Sequence, residues 1–402
     1  MAGKTQTLRF KRTVSAPAAE VYLAFTNSTA LREWLCNAAT VDARKDGRIH
    51  LWWNGGYYTT GEYTALAPNR KVAFTWRGKT DPDKTQVQVS LAEKNGKTTL
   101  TLTHTAGTGK AWAKAIEEFA RGWEMFLENL QSVLETGQDL RLTRRPMLGI
   151  LVGAFNAEVA ARLGVPVREG ILLDDAVEGM GARAAGLQKG DVIVGIAGRK
   201  TANWSALANA LQPHRAGETV KVVLYRGGEK VTLPMTLSPR QLPEVPATAK
   251  ELSEAVRRLY DQIDTDLAKA FEGVSEAEAG HPPAPNEWSA KNVVCHLIEG
   301  ERYTHQWIVE MVGGYESQAD DWPGNLTLGH EGLLAAHPTA PMLLEELHRQ
   351  EVETAAMLAA LPDDFVARKR SYWRLGTGLL QPMEHVRGHI EQIQAAIASA
   401  RR

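Results

Sequence analysis

The sequence predicts a multi-domain α+β protein: a β-sheet wrapped on one long helix, then a small β-barrel-like domain, then an all-α four-helix bundle. Three observations carry this. The chain, at 402 residues, exceeds what one ordinary core holds. A stiff stretch with three prolines, LSPRQLPEVPATAK, separates β-rich sequence from sequence whose apolar spacing is helical. The charge balance shifts with it: residues 1–140, 141–243 and 244–402 carry net charges of +4, +6 and −11. These segments are taken as the three domains.

In residues 1–140, TLRFKRTV opens with alternation, and APAAEVYLAFTN reads as a short helix with Pro17 near its start. RIHLWWN, YTTGEYTAL, KVAFTWRG and TQVQVSLAEKNGKTTLTLTHT are rich in β-branched and aromatic residues, as strands are. Asn95-Gly96 between two alternating runs predicts a tight hairpin. Trp112, Ile116, Phe119, Trp123, Phe126, Leu130 and Val133 then form one apolar stripe at helical spacing, ending near Gly137. Residues 141–243 mix strand, turn and short helix signals, with a hairpin around Gly227-Gly228.

Residues 244–402 predict four helices. Leu252, Val256, Leu259, Ile263 and Leu267 mark the first. Ser289 caps the second, which carries Val293, His296, Leu297, Tyr303 and Trp307. Gly313 to Ala340 reads as irregular. Leu343, Leu344, Leu347, Ala355 and Leu358 mark the third helix; the fourth begins near Pro382 with a stripe of Val386, Ile390, Ile393 and Ile397. One long crossover completes a four-helix bundle.

Composition excludes several functions. At 44% hydrophobic and 23% charged, this is globular sequence. Two cysteines suggest no disulfide framework, and no apolar run approaches the length of a membrane span. A cytoplasmic location is expected. No segment shows the dense basic and aromatic clustering of a nucleic-acid surface.

The residues that stand out chemically are His296, His385 and His389. His385 and His389 are one helical turn apart, and His296 lies on another amphipathic helix. Three imidazoles meeting in a bundle hold a divalent metal (Zn, Ni, Fe or Mn) with coordination positions left over. The spacing alone leaves satisfied core histidines equally open. Glu299, one turn after His296, is placed either to orient a ligand or metal water or as an ordinary solvent-facing carboxylate, the simpler reading. Cys295 reads as a small core residue, and His305, His330, His337 and His348 as surface or loop residues.

Three resemblances add to this. VSAPAAEVYLAFTNSTALREWL, GEYTALAPNRKVAFTW and GWEMFLENLQSVLETG carry the first. Residues 6–137 resemble the START-like SRPBCC superfamily, in the branch similar to the activator of the ninety-kilodalton heat-shock protein ATPase. That implies a helix-grip fold around an apolar cavity for a small apolar ligand or client, with Trp34, Trp52, Trp53, Tyr63, Trp76 and Trp123 as lining candidates. The residues by themselves favour rings that simply pack.

AGLQKGDVIVGIAGRKTANWSAL and Leu148-Gly149-Ile150 carry the second: residues 141–243 resemble a PDZ domain of the bacterial HtrA type. That implies capture of a peptide C-terminal carboxylate by the amides around Leu148, Gly149 and Ile150. The peptide would add as a strand beside the helix carrying Leu207 and Leu211. NEWSAKNVVCHLIEGE and QPMEHVRGHIEQI carry the third, and residues 248–400 resemble the DinB-like metal-binding bundles. Matched to that family's motif, His296, His385 and His389 are its three metal ligands. The combined expectation is a multi-module binding protein. The alternative is a metal-dependent enzyme, of which a thiol-dependent transferase is the type the family suggests.

Overall fold

A computed structural model describes residues 4–317, 326–381 and 383–402; the side chains of 383–385 lie outside the description. The chain divides into two compact units. One joins Met1–Gly137 to Pro243–Arg402, and the other is Gln138–Leu242.

The first unit opens with β1 (Thr5–Val14), α1 (Ala18–Thr26), α2 (Ser28–Trp34), β2 (Ala38–Val41), β3 (Arg48–Trp52), β4 (Tyr58–Ala67), β5 (Lys71–Gly78), β6 (Thr85–Lys94), β7 (Lys97–Gly107) and α3 (Lys110–Thr136). All seven strands form one antiparallel sheet in the order β1-β7-β6-β5-β4-β3-β2. Asn95 and Gly96, both at positive φ, make the β6–β7 turn with Lys94 paired to Lys97. That is the conformation a two-residue hairpin loop needs. In α3 the apolar stripe buries Phe119, Trp123, Leu127, Leu130 and Val133 against the sheet. The helix stops at Gly137, whose φ of 82° lets its amide reach Val133 O at 3.0 Å.

The second unit contains α4 (Leu140–Thr143), β8 (Ile150–Gly153), α5 (Ala157–Leu163), β9 (Ile171–Ala176), α6 (Gly181–Ala184), β10 (Val192–Ile196), β11 (Arg199–Lys200), α7 (Trp204–Leu211), β12 (Thr219–Arg226) and β13 (Glu229–Thr236). Its sheet runs β13-β12-β10-β9-β8, with β11 on β10. Gly227 and Gly228 turn β12 into β13, as their sequence predicts. Asp191 is buried, and Arg226 neutralises it through two bonds of 2.8 Å.

The chain then returns to the first unit with α8 (Ala249–Ala270), α9 (Glu276–Gly280), α10 (Ala290–Gly313), α11 (Leu326–Ala336), α12 (Ala340–Ala359), α13 (Asp363–Ala367), α14 (Lys369–Leu380) and α15 (Met383–Ala400). The four long helices α8, α10, α12 and α15 make the bundle; α8 and α10 each pack on both α12 and α15. Ser289 caps α10 in a reciprocal capping box with Asn292. The stretch read as irregular contains a helix, α11. Helices α9, α13 and α14 are likewise unforeseen, and α13 and α14 lie between the third and fourth long helices.

Helix α14 ties the bundle to the sheet domain. Arg370 is buried between Glu33 of α2, at 2.5 Å, and Glu20 of α1, at 3.1 Å, and Ser371 donates to Glu33 at 2.8 Å. Burial raises the Glu33 carboxyl, and Arg370 and Arg374 oppose that rise. Alongside, Arg374 grips Glu316 through bonds of 2.5 and 2.6 Å, and Arg32 of α2 reaches Glu316 at 3.1 Å.

Candidate functional site

The six aromatic candidates of the sheet domain divide by strand register. In β3, Ile49 and Leu51 face the core, so Trp52 falls on the other face and is 39% exposed. Trp34, Tyr63, Trp76 and Trp123 are buried, and Trp53 is partly buried against the same core. Trp34 Nε1 donates to Ala24 O, Trp53 Nε1 to Leu35 O and Tyr63 OH to Phe25 O, at 2.7 to 2.9 Å. His104 is buried with them. Trp123 Nε1 donates to its Nδ1 at 2.9 Å, which leaves Nε2–H to bond Thr85 Oγ1 at 2.7 Å, and Thr85 donates on to Trp76 O at 2.8 Å. Burial drives the His104 pKa down to about 3, so the ring is neutral.

In the β8 unit, strand β8 is the last strand of its sheet and, among the described residues, pairs with β9 alone. Leu151 and Val152 are exposed on it. The loop before it is fixed: Leu148 is buried, its carbonyl accepts from Ala182, and the Gly149 carbonyl accepts from Val177. Gly149 has φ 75°, and a Cβ there would stand 2.2 Å from Met180 Cβ, so this position requires glycine. Leu207 and Leu211 of α7 are buried in the core of this unit.

In the bundle, α10 and α15 bring His296 and His389 together, with ring centroids 4.9 Å apart. The side chain of His385 lies outside the described residues; its backbone is in α15, one turn before His389. His389 Nδ1 lies 3.1 Å from Gln392 Oε1. In the tautomer that donates this bond, the basic lone pair is on Nε2. Trp288 walls the site, 5.1 Å from the His296 ring and 5.1 Å from that of His330.

Two residues differ from their sequence reading. His330 of α11 is 3% exposed rather than on a surface or loop, and Glu299 is largely covered, 3.4 Å from His330 Nε2. Burial lowers the His330 pKa and Glu299 opposes that fall. Helix α11 can approach this closely only because position 329 is glycine; a Cβ there would overlap Glu299 Oε1 at 1.7 Å. Cys295 is buried, and burial pushes its thiol up to about 12, so it supplies no thiolate ligand. A surface cleft of about 610 Å³ reaches Trp288 and Gln392, the residues that flank the two histidines. Imidazoles converging from facing helices, with a neighbouring carboxylate, are a donor set that suits a borderline divalent metal.

Each segment matches a family model. Residues 15–135 match the activator of Hsp90 ATPase homolog 1-like protein family, 146–237 match the PDZ domain, and 229–393 match the DinB superfamily. The chain joins an Hsp90-activator-like domain, a PDZ domain and a DinB-like bundle.

Relatives match these parts separately. A probable periplasmic serine endoprotease DegP-like of Marinomonas sp. is 28% identical over 165 residues, 40% of this chain and 35% of its own length. The serine protease Do-like HtrA of Lactococcus lactis subsp. lactis is 32% identical over 99 residues, 23% of this chain and 24% of its own. The chain thus spans about a third or less of the curated relatives it matches. Among solved structures, an HSP90 activator from Plasmodium falciparum is 24% identical, covering 32% of this chain and 95% of that one at a TM-score of 0.29. The Aha1 dimer of Colwellia psychrerythraea is 22% identical, with coverages of 32% and 96% and a TM-score of 0.29. No helix among the described residues is long and apolar enough to cross a membrane.

Proposed function

We propose that this protein is a multi-module binding protein. Its PDZ domain captures the C-terminus of a protein partner, its bundle holds a divalent metal, and its Hsp90-activator-like domain engages an apolar ligand or client. The observation that carries the reading is the open edge of β8. An extended peptide bonds to such an edge through its main chain, and the Leu148–Gly149–Ile150 turn supplies amides where the carboxylate would end. The relatives named DegP-like and HtrA share this segment, which agrees with peptide binding. An array of C-terminal peptides tests it. Free-acid peptides bind and their amidated forms bind at least tenfold more weakly; equal binding of the two would refute carboxylate capture.

In the bundle, His296, His385 and His389 would hold the metal, which supplies Lewis acidity toward whatever completes its sphere. The protein's own contribution is orientation: Gln392 sets the His389 ring, and Trp288 and His330 close the side of the site toward α11. The test is metal content. Relative to the wild-type chain, His385→Ala/His389→Ala loses one equivalent of divalent metal; unchanged content would overturn the assignment.

A further inference from the structure

Opposite the histidine pair, the seam between α8 and α12 carries a second group of donor atoms. Asp264 of α8, with His348 and Glu351 of α12, presents one ligand atom each, all within 4.8 Å of one another. His348 Nδ1 and Asp264 Oδ2 share a hydrogen bond of 2.7 Å, whose proton a cation held between them would displace. His348 and Glu351 are three residues apart, on one face of α12. Ser253 of α8 pins the seam by donating to Ala355 O at 2.6 Å.

The informative member is Glu351. It is 3% exposed, and its Oε2 is buried with no hydrogen-bond partner. The neighbouring buried carboxylate shows what a satisfied one looks like here. Glu301 Oε2 accepts from Tyr260 OH at 2.9 Å and from Thr354 Oγ1 at 2.8 Å, and His305 Nε2 backs Thr354 at 2.8 Å. Glu351 has no hydroxyl donor of that kind; its carboxyl faces that of Asp264. Burial first, then Asp264 and Glu301, push its carboxyl up to about 10. Two acids facing each other in a buried site share either a proton or a cation, and a divalent metal takes the place that the proton holds here.

We propose that Asp264, His348 and Glu351 form a second divalent-cation site, on the α8–α12 seam and independent of the histidines on α10 and α15. Two carboxylates and one imidazole suit Zn²⁺, Mn²⁺ or Fe²⁺. Exposed His348 is the point of entry, and buried Glu351 is the anchor.

Equilibrium dialysis of the metal-stripped full chain against micromolar Zn²⁺ tests this. It is done in a His296→Ala/His385→Ala/His389→Ala background, which silences the first site. The background chain binds one Zn²⁺. Adding Glu351→Gln weakens that binding at least tenfold, and so does His348→Ala, whose exposed position carries no folding risk. A background chain that keeps its circular dichroism but binds no Zn²⁺ would overturn the proposal, as would affinity unmoved by both substitutions. The first site is judged separately: equal Zn²⁺ stoichiometry in wild type and background refutes the α10–α15 site and leaves this one standing.

Discussion

Two buried regions of one compact unit use histidine in opposite ways. In the sheet domain, His104 gives one ring nitrogen to Trp123 and the other to Thr85, and the chain ends on a backbone carbonyl. Both nitrogens of the ring are taken up by fixed partners. In the bundle, His296 and His389 turn their rings toward each other, with His330 and Glu299 drawn in beside them. Burial of a histidine is uninformative by itself. What separates a packed ring from a ligand is whether its partners are fixed donors and acceptors or other ligand-type side chains.

Arg370→Leu strands the buried Glu33 carboxyl and should cost about 3–5 kcal/mol, read as a lower midpoint in urea. A shift below about 1 kcal/mol would show that the α2–α14 contact contributes little. His104→Leu leaves Trp123 Nε1 and Thr85 without their partner. That should cost about 2–4 kcal/mol with no change in metal content. Acid sharpens the same point. His104 has a pKa near 3 when folded and an ordinary one, about 6.5, when unfolded. Its share of stability is therefore complete above pH 6.5 and lost as pH falls toward 3. The wild-type melting temperature should drop over that window, and His104→Gln should flatten the slope. Gly149→Ala forces a side chain into Met180 at a positive φ, and should weaken peptide binding about tenfold, by roughly 1.4 kcal/mol. Smallest of all, His389→Ala should move stability by under about 1 kcal/mol, because its side chain is only partly covered.

Much of this was legible in the sequence because the signals were local. Asn95-Gly96, the α3 stripe ending at Gly137, and Ser289 as a cap each need only a few neighbouring residues. Helix α11 falls in the stretch that reads as irregular, and α14 in a stretch to which the sequence gives no element. Both contain paired glycines, Gly329 and Gly332 in one, Gly376 and Gly378 in the other, which weaken a helical signal. Three of the four are there because neighbours press on the backbone. A Cβ on Gly376 would meet Val245 at 2.4 Å, and one on Gly378 would meet Trp307 at 2.7 Å, as Gly329 meets Glu299. Losing α11 from the reading hid His330, and losing α14 hid Arg370. The Asp264–His348–Glu351 group was invisible for another reason: its two helices are 84 positions apart at the contact, and no local pattern joins them.

The most direct test of the contrast is elemental analysis of three chains purified alike: wild type, His385→Ala/His389→Ala, and His104→Gln. The account predicts that the bundle variant loses one equivalent of divalent metal while the sheet-domain variant keeps the wild-type content. Full metal content in the bundle variant would contradict it.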